Sequence, residues 1–248
     1  MIKPAIKYIK PFISHVANII FPPQCMICSA HVSENGSLCF SCWDKVKFIG
    51  NPQCKTCGHP FELDISSDFV CGQCVEEVPL YTKARAVFHY DENTSPLITS
   101  FKYGDRTHTA KYYANWMVRA GSTVIDECDI ITSVPLHSLR LIKRKYNQSA
   151  LLANIIGKIS KKSANNNLIK RVKNTPPQAS LTFNQRQENV RGAFSISKKN
   201  ASLIKGKNIL LIDDVMTTGS TIKACTKILL KAGANKVNVL TLARTVKE

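Results

Sequence analysis

Two adjacent carboxylates, Asp213 and Asp214, directly follow an apolar run that ends at Ile212. Like charges at neighbouring positions resist burial, so both are tolerated only where solvent, a cation or hydroxyl groups receive them. The hydroxyl pair of a ribose is one such partner. The residues after them are mostly small and could let backbone N–H groups converge ahead of a helix N-terminus, which favours an anion. A diol site beside a phosphate site predicts a ribose 5-phosphate group as the ligand.

The elements that must hold this pair in place are predicted as a β-α-β unit. Residues 209–212 form an apolar run typical of a strand buried on both faces. Apolar residues then recur at helical spacing, at Ile222, Cys225 and Leu229. Residues 237–242 form a second strand. Neither the G-x-x-x-x-G-K-[ST] motif nor the G-x-G-x-x-G motif occurs, which excludes the two common nucleotide loops.

Eight of the ten cysteines form four C-x-x-C pairs. Two segments, which contain Cys25 and Cys54 as their first cysteines, repeat the pattern Pro-Gln-Cys-x-x-Cys. Each repeat offers four thiolates in two tight pairs, which suits a closed, structural Zn²⁺ site. We therefore predict two zinc ribbons in tandem. Their candidate ligands are Cys25, Cys28, Cys39, Cys42, Cys54, Cys57, Cys71 and Cys74.

The arrangement of these cysteines is left open by the sequence. The repeat favours sequential pairing, with the first four on one ion and the last four on the other, but a cross-braced arrangement also satisfies the spacing. Disulfides and thioredoxin-like redox chemistry are the alternatives to zinc. Disulfides suit a secreted domain, and the redox chemistry needs one C-x-x-C at a helix start rather than four. Cys128 and Cys225 stand outside the pairs, and we expect both to be small buried residues.

The basic residues are unevenly distributed. The net charge is +17, yet residues 1–80 carry 6 Lys and Arg against 7 Asp and Glu. Residues 140–207 carry 16 basic residues and a single acid, Glu188. Solvated helix faces also produce charge runs, but such an excess beside a phosphate site suggests a polyanionic partner, with nucleic acid the first candidate. The candidate DNA contacts are Arg144, Lys145, Lys161 and Lys162.

The first 21 residues combine lysines with an apolar stretch that Pro4 and Pro11 interrupt. This segment is neither a secretory signal nor long enough to span a bilayer. A short basic amphipathic helix that packs on the rest of the chain is predicted here. We therefore expect a cytoplasmic protein with no transmembrane segment.

The segment LLIDDVMTTGSTI resembles the phosphoribosyl diphosphate (PRPP) loop of type I phosphoribosyltransferases. The resemblance implies an α/β fold, a type I phosphoribosyltransferase-like parallel sheet flanked by helices, that binds PRPP with Mg²⁺. It implies that the paired acids hold the ribose 2′ and 3′ hydroxyls. The PRPP-binding residues would be Asp213, Asp214, Met216, Thr217, Thr218, Gly219, Ser220 and Thr221. An earlier loop meets the pyrophosphate in these enzymes, and its counterpart here gives Pro135, Leu136, His137 and Arg140 as candidates.

Further motifs extend the likeness over nearly the whole chain, which resembles the ComF family, also called ComFC or GntX-like. One departure is Lys145, where we expect the family to have Gly before an aromatic-Asn-Gln sequence. The resemblance implies a role in natural transformation, in which single-stranded DNA is handled with a ComFA-like DNA-uptake helicase. The motifs are Phe-Pro-Pro at residues 21–23, the C-x-x-C ribbons, Phe101-Lys102-Tyr103, Val134-Pro135-Leu136-His137, Arg171 with Gln178, and the run from Asn189 to Phe194.

The domain order that follows is an N-terminal amphipathic helix at residues 1–21, a small double zinc-ribbon domain at residues 22–80 and a phosphoribosyltransferase-like domain at residues 81–248. The leading hypothesis is a PRPP-binding, single-stranded-DNA-associated competence protein acting in DNA uptake. The second is an active phosphoribosyltransferase with an unidentified acceptor. The third is a PRPP sensor that regulates DNA handling through protein contacts.

Overall fold

The computed structural model of the protein describes residues 22–62, 68–104, 106–174 and 188–246. The predicted helix at residues 1–21 and the family residue Gln178 lie outside these ranges. Two compact units are present, one ending at Val46 and the other beginning at Lys47. The domain boundaries given by the sequence stay predictions. No helix in the described ranges has both the length and the apolarity that a membrane crossing requires.

The unit that ends at Val46 carries the first group of cysteines. An antiparallel bridge between Gln24 and His31 closes the turn that contains the first C-x-x-C pair. Helix α1 (Phe40–Lys45) begins within the second pair. The turn and the helix start together hold the two cysteine pairs.

The unit that begins at Lys47 opens with the second group of cysteines and the same local design. A bridge between Gln53 and Pro60 closes the turn, and helix α2 (Gly72–Glu76) begins directly after Cys71. The repeat in the sequence is therefore also a repeat in the structure.

A five-stranded parallel sheet forms the centre of this second unit, in the order β1-β7-β6-β2-β3. Parallel strands end at one common edge of the sheet, and ligands of α/β proteins bind outside that edge. A separate antiparallel pair is formed by β4 and β5. The strands are β1 (Lys83–His89), β2 (Ile130–Ser133), β3 (Ser163–Ala164), β4 (Lys170–Arg171), β5 (Phe194–Ser195), β6 (Asn208–Met216) and β7 (Lys236–Arg244).

Helices connect and cover the strands. Helices α4 and α7 pack on each other and on the sheet, and α9 packs on β6 and β7. A single 3₁₀ turn, Thr107–Thr109, joins α3 to α4. The helices are α3 (Ser95–Tyr103), α4 (Ala110–Ala120), α5 (Ser122–Asp126), α6 (Ser138–Arg144), α7 (Gln148–Ser160), α8 (Lys198–Ile204) and α9 (Ser220–Lys231).

The predicted β-α-β unit is confirmed as β6, α9 and β7. Ile222 and Cys225 of α9 are buried in one apolar cluster with Leu211 of β6 and Val239 of β7. Both strands are apolar along most of their length because helices cover the sheet on both faces. Cys128 is also buried, so both unpaired cysteines are core residues as expected. The predicted fold class, a parallel α/β sheet flanked by helices after a double zinc ribbon, is confirmed.

Candidate functional site

A cavity of about 550 Å³ opens at the carboxyl ends of β1, β2 and β6. Its walls come from segments that are far apart in the sequence, and they carry four cationic side chains and two carboxylates. The polar residues that line it are Tyr90, Thr99, Lys102, Tyr103, Arg140, Arg144, Asn147, Gln148, Ser149, Arg171, Asp213, Asp214, Thr217 and Thr221. Ile98, Val134, Leu136 and Val215 complete the walls.

The paired acids lie in the last residues of β6, because this strand continues to Met216 rather than ending at Ile212. The Asp213 carboxylate is buried, and its Oδ1 accepts hydrogen bonds from Ser149 Oγ and from the backbone N–H of Asp214, each at 3.0 Å. Burial, together with the negative charge of Asp214, raises the pKa of Asp213 to about 7. A buried carboxyl with a raised pKa is a common feature of functional sites.

Lys102 is the cation that faces these acids. Its Nζ lies 3.0 Å from Oδ2 of Asp214, and the exposed fractions of the two side chains are 24% and 13%. Burial lowers the pKa of Lys102, but the charge of Asp214 and the hydrogen bond to it outweigh burial, so the pKa is raised. The ion pair therefore stabilises the charged form of Lys102.

The start of α7 is hydrogen-bonded to three other segments that line the cavity. Asn147 caps this helix by accepting from the backbone N–H groups of Ser149 and Ala150, and its Nδ2 donates to the carbonyl of Val134 at the end of β2. Gln148 Nε2 donates to the carbonyl of Lys102 at 3.1 Å. Ser149 donates to Asp213, as described above. These three consecutive side chains connect the start of α7 to Val134, to the backbone of Lys102 and to Asp213.

The loop between β6 and α9 has the form expected of a phosphate site. Gly219 has a φ of 71° and precedes the helix, a left-handed conformation that favours glycine. Thr217 and Thr221 line the cavity, while the hydroxyls of Thr218 and Ser220 hydrogen-bond each other at 2.9 Å. The loop leads into a 12-residue helix, whose N-terminus favours an anion. Met216 was also predicted to bind the ligand, but its side chain is buried in the apolar core.

The candidate pyrophosphate loop after β2 is divided between two roles. Leu136 and Arg140 line the cavity. Pro135 is buried, and Nδ1 of His137 accepts from the backbone N–H of Leu139 at 3.3 Å, so His137 caps helix α6. The structure therefore brings two of the four predicted residues to the cavity wall.

Three arginines converge on the same cavity. Burial and the charge of Arg144 lower the pKa of Arg140, and burial and the charge of Arg140 lower the pKa of Arg171. Arg171, on the small strand β4, lies 5.3 Å from the ring centre of Phe194. Like charges held within electrostatic range of one another form a site that an anion would stabilise.

The four candidate DNA contacts do not form one group. Arg144 lines the cavity and stacks on the exposed ring of Tyr103 at 4.9 Å, and Lys145 follows it. Lys161 and Lys162 lie past the other end of α7, whose 13 residues span about 20 Å. Lys162 Nζ also donates to the carbonyls of Asp126 and Cys128.

Lys145, which stands where a glycine is expected, has a backbone conformation that suits glycine. Its φ of 64° is left-handed, a conformation that glycine adopts at less cost than lysine. The backbone at this point therefore keeps the form that the expected glycine would favour.

The eight paired cysteines form two groups of four, and these confirm sequential pairing. The four Sγ atoms of each group lie within 4.8 Å of one another. Tetrahedral zinc with Zn–S bonds of about 2.3 Å separates its sulfurs by about 3.8 Å. The Sγ atoms of Cys28 and Cys39, and those of Cys57 and Cys71, are 3.6 Å apart. Backbone N–H groups also point at Cys54 Sγ, as thiolate ligands require. Both groups fit a structural zinc ion.

The second cysteine group is bonded directly to the sheet of its own unit. The N–H of Ala84 in β1 donates to the carbonyl of Thr56 at 2.7 Å, and the guanidinium of Arg244 in β7 donates to the carbonyl of Cys57. Tyr81 packs on this cysteine group and on the core cluster of the sheet. Loss of a metal from this site would therefore disturb the edge of the sheet.

Several polar residues of the cavity are not among the site residues predicted from the sequence: Tyr90, Thr99, Lys102, Tyr103, Asn147, Gln148, Ser149 and Arg171. Asn147 and Gln148 precede an apolar helix and look like ordinary capping residues, and Ser149 carries no motif of its own. Lys102 and Arg171 occur in family motifs, but nothing in the chain indicates what they face.

Comparison with known proteins agrees with this geometry. Residues 16–82 match the family described as "Double zinc ribbon domain", and residues 169–247 match "Phosphoribosyl transferase domain". "Competence protein F" of Haemophilus influenzae is 33% identical over 229 residues, which cover 89% of this chain and 96% of that protein. The chain belongs to the competence protein F family. The resemblance to the ComF family is thereby confirmed.

Two further relatives are aligned over most of their own length. "DNA utilization protein YhgH" of Escherichia coli K12 is 27% identical over 91% of this chain and 98% of its own length. "Competence protein ComFC" of Bacillus subtilis is 26% identical over 89% of this chain and 95% of its own length. Among solved structures, the allosteric regulatory enzyme of purine biosynthesis matches 58% of this chain and 29% of its own, with 20% identity and a TM-score of 0.38.

Proposed function

We propose that this protein binds PRPP in the cavity at the carboxyl edge of the sheet. The observation that carries the proposal is the position of Asp213 and Asp214. They lie at the end of a parallel strand, directly before a glycine-containing loop and a helix N-terminus, with cationic side chains opposite. A ligand with a diol, one phosphate and a second, more highly charged anionic group matches this combination.

The parts of PRPP are assigned to separate walls. The paired acids accept hydrogen bonds from the ribose 2′ and 3′ hydroxyls, and the bond to Asp213 is strongest above its raised pKa, where its carboxyl is ionised. The loop from Thr217 to Thr221 surrounds the 5′-phosphate. Leu136 and Arg140 border the pyrophosphate, and Arg144 and Arg171 add positive charge there. Bound Mg²⁺ would neutralise part of the pyrophosphate charge.

The biological role that we propose is in competence, as the names of the relatives suggest. Single-stranded DNA would contact the cavity mouth, where the ring of Tyr103 is 67% exposed and Arg144 stacks on it. Unpaired bases stack on such rings, and nearby cations bind the phosphates. A ComFA-like helicase is the proposed partner, on the strength of family membership. The two zinc ions would have a structural role.

A second candidate function is phosphoribosyl transfer, which part of the cavity lining favours. Tyr90 and Val215 offer an aromatic ring and an apolar side chain that the polar groups of PRPP do not need. A planar base could occupy it. The bond between ribose C1 and the pyrophosphate oxygen would break with its electron pair leaving on pyrophosphate. A nitrogen of the base would bond to C1 and release its proton to water.

Calorimetric titration with PRPP in the presence of Mg²⁺ tests the first proposal. We expect one site per chain, competed for by ribose 5-phosphate but not by ribose. Absence of binding would refute the proposed function. Incubation with PRPP, Mg²⁺ and each common nucleobase, followed for pyrophosphate release, separates binding from transfer. Release above the rate with PRPP alone would establish the second function.

A further inference from the structure

We infer that Lys102 is an occupant of the ribose-diol site that PRPP must displace, and that its freed ammonium then binds the pyrophosphate. This inference rests on the proposed function. Its basis is the ion pair between Lys102 Nζ and Asp214 Oδ2 at 3.0 Å, in the cavity where the diol would bind. A ribose hydroxyl that binds Oδ2 would have to share this oxygen with the lysine, and sharing weakens both hydrogen bonds.

Hydrogen bonds hold the backbone of Lys102 in place, whereas its side chain can move. Gln148 Nε2 bonds the carbonyl of Lys102, and Tyr146 Oη donates to the carbonyl of Phe101 at 2.5 Å. The last turn of α3 is therefore fixed to α7. A lysine side chain with four methylene groups can swing about a fixed backbone, so displacement needs no movement of a helix.

The charges around the cavity determine the direction in which the Lys102 side chain moves. Arg144 lies close enough to Lys102 to oppose its charge, and it lies close enough to Arg140 to do the same. Without an anion, the Lys102 ammonium is paired with Asp214. A bound pyrophosphate reverses the local charge and attracts all three cations.

The consequence is a preference for PRPP over simpler sugar phosphates. Ribose 5-phosphate offers the diol but no pyrophosphate, so it must break the ion pair without providing a new partner for the lysine. PRPP supplies that partner. Lys102 is thus a specificity-determining residue that couples the diol site to the pyrophosphate site.

Two substitutions test this, with titration of PRPP, ribose 5-phosphate and inorganic pyrophosphate at constant Mg²⁺ and ionic strength. Lys102→Gln should weaken PRPP and pyrophosphate binding by about 10- to 100-fold, the effect of losing one charge-assisted hydrogen bond. The same variant should bind ribose 5-phosphate as tightly as the wild type or more tightly. The matched control is Lys158→Gln, which removes an exposed lysine of α7 outside the cavity wall.

Asp214→Asn provides the reciprocal test and decides alone if Lys102→Gln does not fold. It releases Lys102 in the ligand-free protein, so it should bind pyrophosphate more tightly than the wild type and ribose 5-phosphate more weakly. Two results would overturn the inference and leave the proposed function standing. The first is that Asp214→Asn binds pyrophosphate no more tightly than the wild type does. The second is that Lys102→Gln loses affinity for PRPP and for ribose 5-phosphate to the same extent. A wild type that binds neither PRPP nor ribose 5-phosphate would overturn both.

Discussion

Replacing Asp213 by Asn should stabilise the protein above pH 7 and have little effect near pH 4. Burial and the charge of Asp214 raise the pKa of Asp213 from 3.8 to about 7. Between these two values the folded protein holds a proton that the unfolded chain has already released. Stability therefore falls as the pH rises through this window, and the full penalty is present above the folded pKa.

The size of the effect follows from the pKa difference. Each pH unit between the folded and unfolded pKa values corresponds to about 1.4 kcal/mol, so the penalty is up to about 4 kcal/mol above pH 7. Asparagine has nearly the same shape and keeps an oxygen that can accept from Ser149 Oγ and from the N–H of residue 214. We expect the variant to gain about 2 kcal/mol or more at pH 8, since some of the penalty is removed by relaxation of the site.

Urea unfolding at pH 5, 6, 7 and 8 measures this directly. The free energy of unfolding of Asp213→Asn minus that of the wild type should grow from pH 5 to pH 8, and zinc contributions common to both proteins cancel. Asp126→Asn, which changes an exposed carboxylate on α5, should show no such growth. A difference between Asp213→Asn and wild type that is the same at pH 5 and pH 8 would refute the argument.

Two further predictions concern the zinc sites and DNA. Cys54→Ser should lower both the melting temperature and the PRPP affinity of the second unit, because the cysteine group that contains Cys54 is hydrogen-bonded to β1 and β7. Cys25→Ser should leave the PRPP affinity unchanged. Equal PRPP affinities in the two variants would contradict this prediction. The pair of charge reversals Arg144→Glu and Lys145→Glu should weaken single-stranded DNA binding. It should also flatten the dependence of log K on log salt by about 0.7 per lost phosphate contact. Reversal of Lys161 and Lys162 should change neither quantity, and an equal effect of both pairs would show that DNA binds elsewhere.

Local patterns in the sequence were sufficient to predict the cysteine groups and the β-α-β unit. Four thiols within a short segment can meet in few ways, and an apolar stripe must face the sheet. The partners of the acids were not predictable in this manner. Ser149 and Asp213 are 64 positions apart, and Gln148 and Lys102 are 46 positions apart. Contacts between residues so far apart in the sequence depend on the order of the strands in the sheet. The spacing of residues along the sequence does not determine that order.

The predicted DNA contacts also show that a pattern along the sequence does not determine where residues lie in the folded protein. A count of basic residues along the chain takes no account of where a helix begins and ends. Helix α7 separates Arg144 and Lys145 from Lys161 and Lys162, although all four belong to one basic stretch of the sequence. Charge density along a chain becomes a surface property only when the fold brings the charges to one face.

The most direct test of the central claim is PRPP binding to the double variant Asp213→Asn with Asp214→Asn. Zinc content and cooperative unfolding like those of the wild type would show that the variant is folded. At pH 8, above the raised pKa of Asp213, loss of the two carboxylate acceptors for the ribose hydroxyls should weaken binding by at least about tenfold, since each charge-assisted hydrogen bond contributes about 1.5 to 3 kcal/mol and the release of Lys102 offsets part of the loss. Unchanged PRPP affinity in the folded double variant would contradict the account.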